Sequence, residues 1–324
     1  MRRTLAAALV SALVGLAGCS SPAADNGGSG GNPQGSASTE KVTVGVIPIV
    51  DVAPIYLGKQ KGFFSSRGLD LNLVAAQGGA AVIPGVVSDQ FQFGFSNVTS
   101  LMIAASRNLP LKITNAGDSS TGKDGADFGA VVVTADSPIK TAKDLAGKSV
   151  AVNTLKNIGD VTVRASVGKA GGDPSKVKFT ELAFPDMPAA LAGKKVDAAW
   201  VVEPFLSAIK AQGGRVVAWN FVDTAPNLPI AAYFTTTKLI SQKPDLVKKF
   251  TEAMAESNAY AQAHPDEARA VLTTYTKITA DQAKALTLPQ WPDKIDTAAL
   301  GTLADLAVAD GLLPAKPDLT ALLP

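Results

Sequence analysis

Cysteine and histidine are nearly missing from this chain. Its 324 residues include one of each, Cys19 and His264. No disulfide can close within it, and no thiolate metal site can be assembled. His264 sits in Ala263-His264-Pro265-Asp266-Glu267, a helix break followed by a new helix start, and so reads as a surface histidine. Zinc hydrolysis and nucleophiles of the Cys–His or Ser–His–Asp kind are therefore improbable chemistry for this sequence. An excess of one charge is also lacking: 30 Lys and Arg face 28 Asp and Glu, a net +2. No basic run marks a nucleic-acid face. What is present is apolar. Hydrophobic residues make up 46% and charged residues 18%, enough for a sizeable core.

The apolar stretch Leu5–Leu16 follows Arg2 and Arg3 and is too short to span a bilayer as a helix. The pattern is that of an export signal. Its end, Leu16-Ala17-Gly18-Cys19, resembles the lipobox of bacterial lipoproteins. That resemblance implies a signal peptide over residues 1–18 and a lipid-modified Cys19 as the new N-terminus. It also implies export and anchoring to the outer face of the cell membrane. Each buried acyl CH₂ contributes ~0.8 kcal/mol, and two chains suffice for stable anchoring. The alternative, a buried free cysteine, lacks any core-like sequence around it. Removal of Arg2 and Arg3 leaves the remaining charge balanced. Residues 19–40 are small and polar, which predicts an acylated, disordered tether with a span of ~25 Å. Gly27 to Gly31 belongs to that tether. It has no strand before it and no Lys-Ser/Thr after it, so it is not a phosphate loop.

From residue 41 onward, strands and helices alternate. Val42–Ile47 reads as a strand, Ile55–Lys61 as a helix stopped by Gly62, and Leu69–Val74 as a strand. Helix Ala80–Ser88, strand Phe91–Phe95, helix Val98–Ser106 and strand Leu111–Asn115 follow. A second series begins near Phe128 and runs to Trp219. Helices then take over from Pro244. This predicts an α/β fold with open, largely parallel sheets. The chain is expected to cross between two lobes near Phe128–Asp136 and again near Ala231–Thr237. Lobe 1 comprises 41–131 plus 236–324, lobe 2 comprises 132–235, and a cleft lies between them.

Several segments in this order are similar to the periplasmic solute-binding proteins of bacterial ABC importers, in the nitrate/taurine/sulfonate and thiamine-precursor branch. They are Val44-Gly45-Val46-Ile47-Pro48, Pro54 through Phe64, Gly68-Leu69-Asp70-Leu71 and Asp144 through Val152. Gly193 through Trp200, Glu203-Pro204-Phe205 and His264 through Ala268 complete the pattern. The resemblance implies a two-lobed type II fold that closes on a small solute and delivers it to a membrane permease and its ATPase. It implies a monomer with no cofactor, no nucleic acid and no catalysis. Enzymes of thiamine-pyrimidine synthesis share the fold but use a histidine and a cysteine-rich motif absent here. A solute-sensing lipoprotein would look the same in sequence.

Ligands of open α/β sheets sit beyond the carboxyl ends of strands, which selects a few loops. Asp51 is placed to accept from a ligand N–H, or to form an Asx turn. Gly78 and Gly79 offer bare N–H groups at a helix start, or simply a tight turn. Ser96 and Asn97 suit an N-cap as well as a ligand. Asn153, Thr154 and Asn157 precede the helix at Gly159. Trp200 suits stacking on a planar ring, or core packing. Glu203, ahead of Pro204, suits a ligand or a helix cap. No Arg lies in these loops. Asp51 and Glu203 favour a neutral or cationic nitrogen-bearing ligand, such as a pyrimidine-like vitamin precursor, over a sulfonate.

Overall fold

Ten strands fall into two sheets. The computed structural model describes residues 39–323, so the expected signal peptide, Cys19 and nearly all of the tether lie outside the described residues. In chain order the first elements are β1 (Glu40–Val46), α1 (Ala53–Lys61), β2 (Leu69–Ala75), α2 (Gly79–Val87), β3 (Phe93–Asn97), α3 (Val98–Ser106) and β4 (Leu111–Ser119). Next come β5 (Gly129–Val133), β6 (Ser149–Val152), α4 (Ile158–Lys169), β7 (Lys178–Glu181), α5 (Met187–Ala192), β8 (Ala198–Val202), α6 (Phe205–Ala211), β9 (Arg215–Ala218) and α7 (Asn220–Thr224). The chain finishes with β10 (Pro229–Thr236), α8 (Thr237–Gln242), α9 (Pro244–Ala263), α10 (Pro265–Val271), α11 (Ala280–Lys284), α12 (Thr297–Ala309) and α13 (Leu319–Leu322).

The first sheet has the order β2-β1-β3-β10-β4 and the second β7-β6-β8-β5-β9. In each, four strands are parallel and one runs against them: β10 in the first, β5 in the second. Those two are the strands that the chain enters on crossing between sheets. A chain leaving the carboxyl edge of one sheet meets the carboxyl edge of the facing one, so its first strand there must run backwards. The sheets are largely parallel as expected, and the one reversed strand in each makes them mixed. The expected limits at 131/132 and 235/236 move. Pairing places all of β5 in the second sheet and all of β10 in the first, which puts the crossings at 120–128 and 225–228. Both strands are buried along their whole length, so their hydrophobic runs give no hint of which sheet owns them.

The two crossings touch. Ser120 N–H donates to Leu228 O at 2.9 Å. Asp127 braces the first, accepting from Ser120 Oγ (2.6 Å) and from Thr121 N (3.0 Å). The C-terminal helices return to the first sheet as expected: α9 packs on α1 and β4, while α12 touches both α3 and α4. Proline at the first turn starts α9, and its buried stripe includes Leu246, Phe250, Met254 and Asn258. Among the described residues, no helix is long and apolar enough to cross a membrane.

Phe250 stacks on Phe93 of β3 with ring centroids 3.7 Å apart and is fully buried. Phe250→Ala is expected to lower the unfolding free energy by about 3–5 kcal/mol, because the cavity cannot fully collapse. Urea unfolding followed by circular dichroism measures this, and a loss below about 1 kcal/mol would contradict the packing described.

Candidate functional site

The carboxyl ends of β1, β3, β6 and β8 meet the start of β10. From the first sheet, Ile47, Ile49, Asp51, Phe95 and Asn97 line a small hollow. The second contributes Asn153, Ile158, Phe184, Trp200 and Val202, and β10 supplies Ile230 and Ala231. The hollow measures about 20 Å³, room for about one water. Larger hollows of about 530 and 480 Å³ lie along the outer edge of β4. Those are lined by the first sheet, its helices and the segment around Gln290–Asp296, whereas the small one is lined from both sheets.

Asp51 lies in a single 3₁₀ turn, Val50–Val52, directly after the β1 loop. Three backbone contacts fix that turn. Val50 N–H donates to Glu203 O at 3.1 Å, Tyr275 Oη to Ile49 O at 3.0 Å, and Trp291 Nε1 to Asp51 O at 3.0 Å. The Asp51 side chain is 3% exposed, and its Oδ2 receives no donor. Burial pushes its carboxyl up to about 7. On the other wall, Trp200 Nε1 finds no acceptor. The Trp200 ring is seated against Phe184, with centroids 5.5 Å apart, and lies over Gly159. Asp51 and Trp200, each with a buried polar atom that has no partner, therefore line the same hollow from different sheets. The rest of the lining is aliphatic, aromatic or amide, with no Lys, Arg or His.

The expected site residues divide into three groups. Asp51, Asn97, Asn153 and Trp200 line the hollow. Gly78, Gly79, Ser96, Thr154 and Asn157 form the seam beside it. Gln77 Nε2 donates to Asn153 O (3.1 Å), and Asn153 Nδ2 donates back to Gln77 O (3.4 Å). A Cβ on Gly78 would stand 2.8 Å from Thr154 Cγ2, and one on Gly79 would stand 2.2 Å from Ser96 Oγ. Glycine is what lets the start of α2 approach both neighbours. Asn97 and Asn157 act as N-caps of α3 and α4, accepting from Ser100 N and Gly159 N at 2.9 Å each. Asn157 Nδ2 also donates to Asn153 Oδ1 (2.6 Å) and Thr154 Oγ1 (3.0 Å), tying that loop together. Glu203 stands apart. Its buried carboxylate accepts from Ser207 N (2.9 Å) and Ser207 Oγ (2.7 Å), in the first turn of α6. That is the helix-cap arrangement, and Glu203 reaches the seam only through its backbone carbonyl.

The apolar walls Ile47, Ile49, Phe95, Ile158, Phe184, Val202 and Ile230 were not anticipated. In sequence they are indistinguishable from core. Strand β4, expected to end at Asn115, continues to Ser119. Among the described residues no group of three or more His, Cys, Asp or Glu is arranged to hold a metal.

Comparison with known proteins fixes the family. Residues 49–268 match the family described as NMT1/THI5 like. The chain belongs to the NMT1/THI5-like family. One relative, the putative aliphatic sulfonates-binding protein of Bacillus subtilis, is 25% identical over 80% of this chain and 74% of its own. Another, the riboflavin-binding protein RibY of Chloroflexus aurantiacus, is 23% identical over 73% of this chain and 66% of its own. Among solved structures, the alkanesulfonate-binding protein SsuA of Xanthomonas axonopodis pv. citri bound to MOPS superposes with a TM-score of 0.72. It is 16% identical and covers 89% of this chain and 99% of that one. This member of the NMT1/THI5-like family thus has the periplasmic-binding-protein fold, and the relatives named are solute-binding proteins.

A Cβ on Gly159 would lie 2.5 Å from Trp200 Cε3. Gly159→Ala is expected to displace the indole and cost about 1–3 kcal/mol of stability through overpacking. Chemical denaturation and near-UV circular dichroism check this. An unchanged aromatic spectrum would contradict the seating of Trp200.

Proposed function

We propose that this protein is an extracytoplasmic solute-binding lipoprotein of an ABC importer, and that its two sheets close on a flat, nitrogen-bearing heterocycle. Neutral or cationic rings of the pyrimidine or thiamine-precursor type fit this reading. One observation carries it: Asp51 and Trp200 line the same hollow, each holds a buried polar atom without a partner, and the walls around them are aliphatic and aromatic without a cation. A ring with adjacent donor and acceptor atoms satisfies both groups, and its faces replace water against Phe95, Phe184 and Trp200. A sulfonate brings three acceptor oxygens to a carboxylate, with no Arg or Lys to balance them. One N-terminal N–H of each of α3 and α4 already bonds to its capping residue, Asn97 or Asn157.

A hollow of about 20 Å³ admits no such ring until the lobes part. The two crossings at 120–128 and 225–228 are the segments able to act as the hinge. Ligand then bridges the sheets and selects the closed form, which is the form presented to a permease and its ATPase. Diacylated Cys19 would hold the body at the outer face of the membrane.

Titration calorimetry of the purified protein with thiamine, 4-aminopyrimidine, taurine and nitrate tests the ligand class. A ring should bind near micromolar, about −8 kcal/mol. Asp51→Asn should weaken thiamine by about 10–100-fold, the loss of a charge-assisted hydrogen bond. Binding of taurine or nitrate with no response to either ring would overturn this ligand class. The anchor has its own check. The wild-type chain expressed in bacteria should incorporate labelled palmitate and sediment with membranes, and Cys19→Ser should do neither. Membrane association that survives Cys19→Ser would refute the lipid anchor.

A further inference from the structure

Gln77 is not among the residues that the strand-end rule selects, yet it joins the two sheets beside the hollow. The strand orders show where it acts. The chain crosses between sheets from β4 to β5 and from α7 to β10. Two strands separate β2 from β10, and two separate β7 from β5. Gln77 follows β2, and Asn153 follows β6, the neighbour of β7. Their contact therefore lies on the side of the cleft away from the crossings, where an opening about those crossings moves the walls furthest.

The contact is reciprocal. Gln77 Nε2 donates to Asn153 O at 3.1 Å, and Asn153 Nδ2 donates to Gln77 O at 3.4 Å. Neither amide can turn over. Asn153 O only accepts, so the Gln77 nitrogen has to face it. Asn153 Oδ1 accepts from Asn157 Nδ2 at 2.6 Å, and Asn157 Oδ1 accepts from Gly159 N at 2.9 Å. The cap of α4 thus orients Asn153, and its nitrogen is left for the other sheet. Gly78 keeps the approach open, since a Cβ there would stand 2.9 Å from Asn153 Nδ2. Both bonds run from protein to protein, so they form without a solute. Asn153 lines the hollow, whereas Gln77 is exposed and does not.

We propose that Gln77 is a positioning residue for solute capture: its amide clasps Asn153 across the cleft, holds the two sheets together and raises solute affinity without touching the solute. The proposal rests on the cleft being the solute site and adds a residue that sets affinity through closure. Apparent affinity scales with the fraction of protein in the binding-competent form. A net neutral hydrogen bond shifts such an equilibrium by about 2–10-fold. A solute that bridges both sheets draws on the same equilibrium, so loss of the clasp weakens it by up to that factor.

Two variants separate the donor from the bulk of the side chain. Gln77→Ala removes both. Gln77→Glu keeps the shape but sets an acceptor against Asn153 O. Cys19→Ser removes the one thiol, so spin labels at Asp70→Cys on β2 and Lys178→Cys on β7, both exposed, report the separation of the sheets by electron–electron double resonance. In the solute-free protein both Gln77 variants should shift the distance distribution to longer values, with the urea midpoint unchanged. Thiamine calorimetry should show both binding about 2–10-fold more weakly than wild type. Distances equal to or shorter than wild type overturn the proposal. So does a shift in Gln77→Ala that Gln77→Glu does not share, because packing and not the donor would then hold the sheets. Unchanged thiamine affinity in variants that open overturns it as well. If the distances shift but the wild type takes up no thiamine, the ligand class proposed above falls while the clasp stands.

Discussion

The structure depends on how the chain passes twice between two sheets whose carboxyl edges face each other. Each passage enters its new sheet backwards, which makes β5 and β10 the single antiparallel strands. Both are buried apolar strands with a neighbour on each side. The hydrogen bond from Ser120 N to Leu228 O holds the two passages side by side. With the crossings adjacent, the loops after β1, β3, β6 and β8 have nowhere to go but toward one another. The seam, the hollow and the pairing of Asp51 with Trp200 all follow from that constraint. The proposed hinge rests on it too, since these short segments are where the chain passes between the sheets.

The energetics of the site are those of a carboxyl kept from water. Burial of Asp51 without a cation is unfavourable and raises its proton affinity. The strain is tolerated because its turn is fixed from three directions by Glu203, Tyr275 and Trp291 through the backbone. The same logic assigns Glu203 a different task. Its carboxylate is satisfied by Ser207, so it stabilises the start of α6 instead of waiting for a partner. Two acidic residues that look alike in sequence are separated by whether the fold supplies donors to them.

Much of the fold was legible in the sequence because its signals are local. Gly62 does end α1, with φ at +83°, and Pro244 does open α9. The alternation of strands and helices predicted both sheets. Strand ownership was not legible, because β5 and β10 are buried along their whole length and pairing is a long-range property. The short α7 after Trp219 also escaped, having no cap or period to announce it. Asp51, Asn97, Asn153 and Trp200, selected by the rule that ligands gather beyond strand ends, line the hollow. Phe95 and Phe184 were not selected, since a wall residue and a core residue carry the same sequence signal.

The most direct test of this account is a crystal structure of the protein with the solute it carries from its host. The account predicts electron density for a flat ring between the sheets, with a ring N–H at hydrogen-bond distance from Asp51 Oδ2 and an acceptor facing Trp200 Nε1. Density for a solute seated instead in the outer groove beside Asn258 and Gln290, with the seam between Gln77 and Asn153 unchanged, would contradict it.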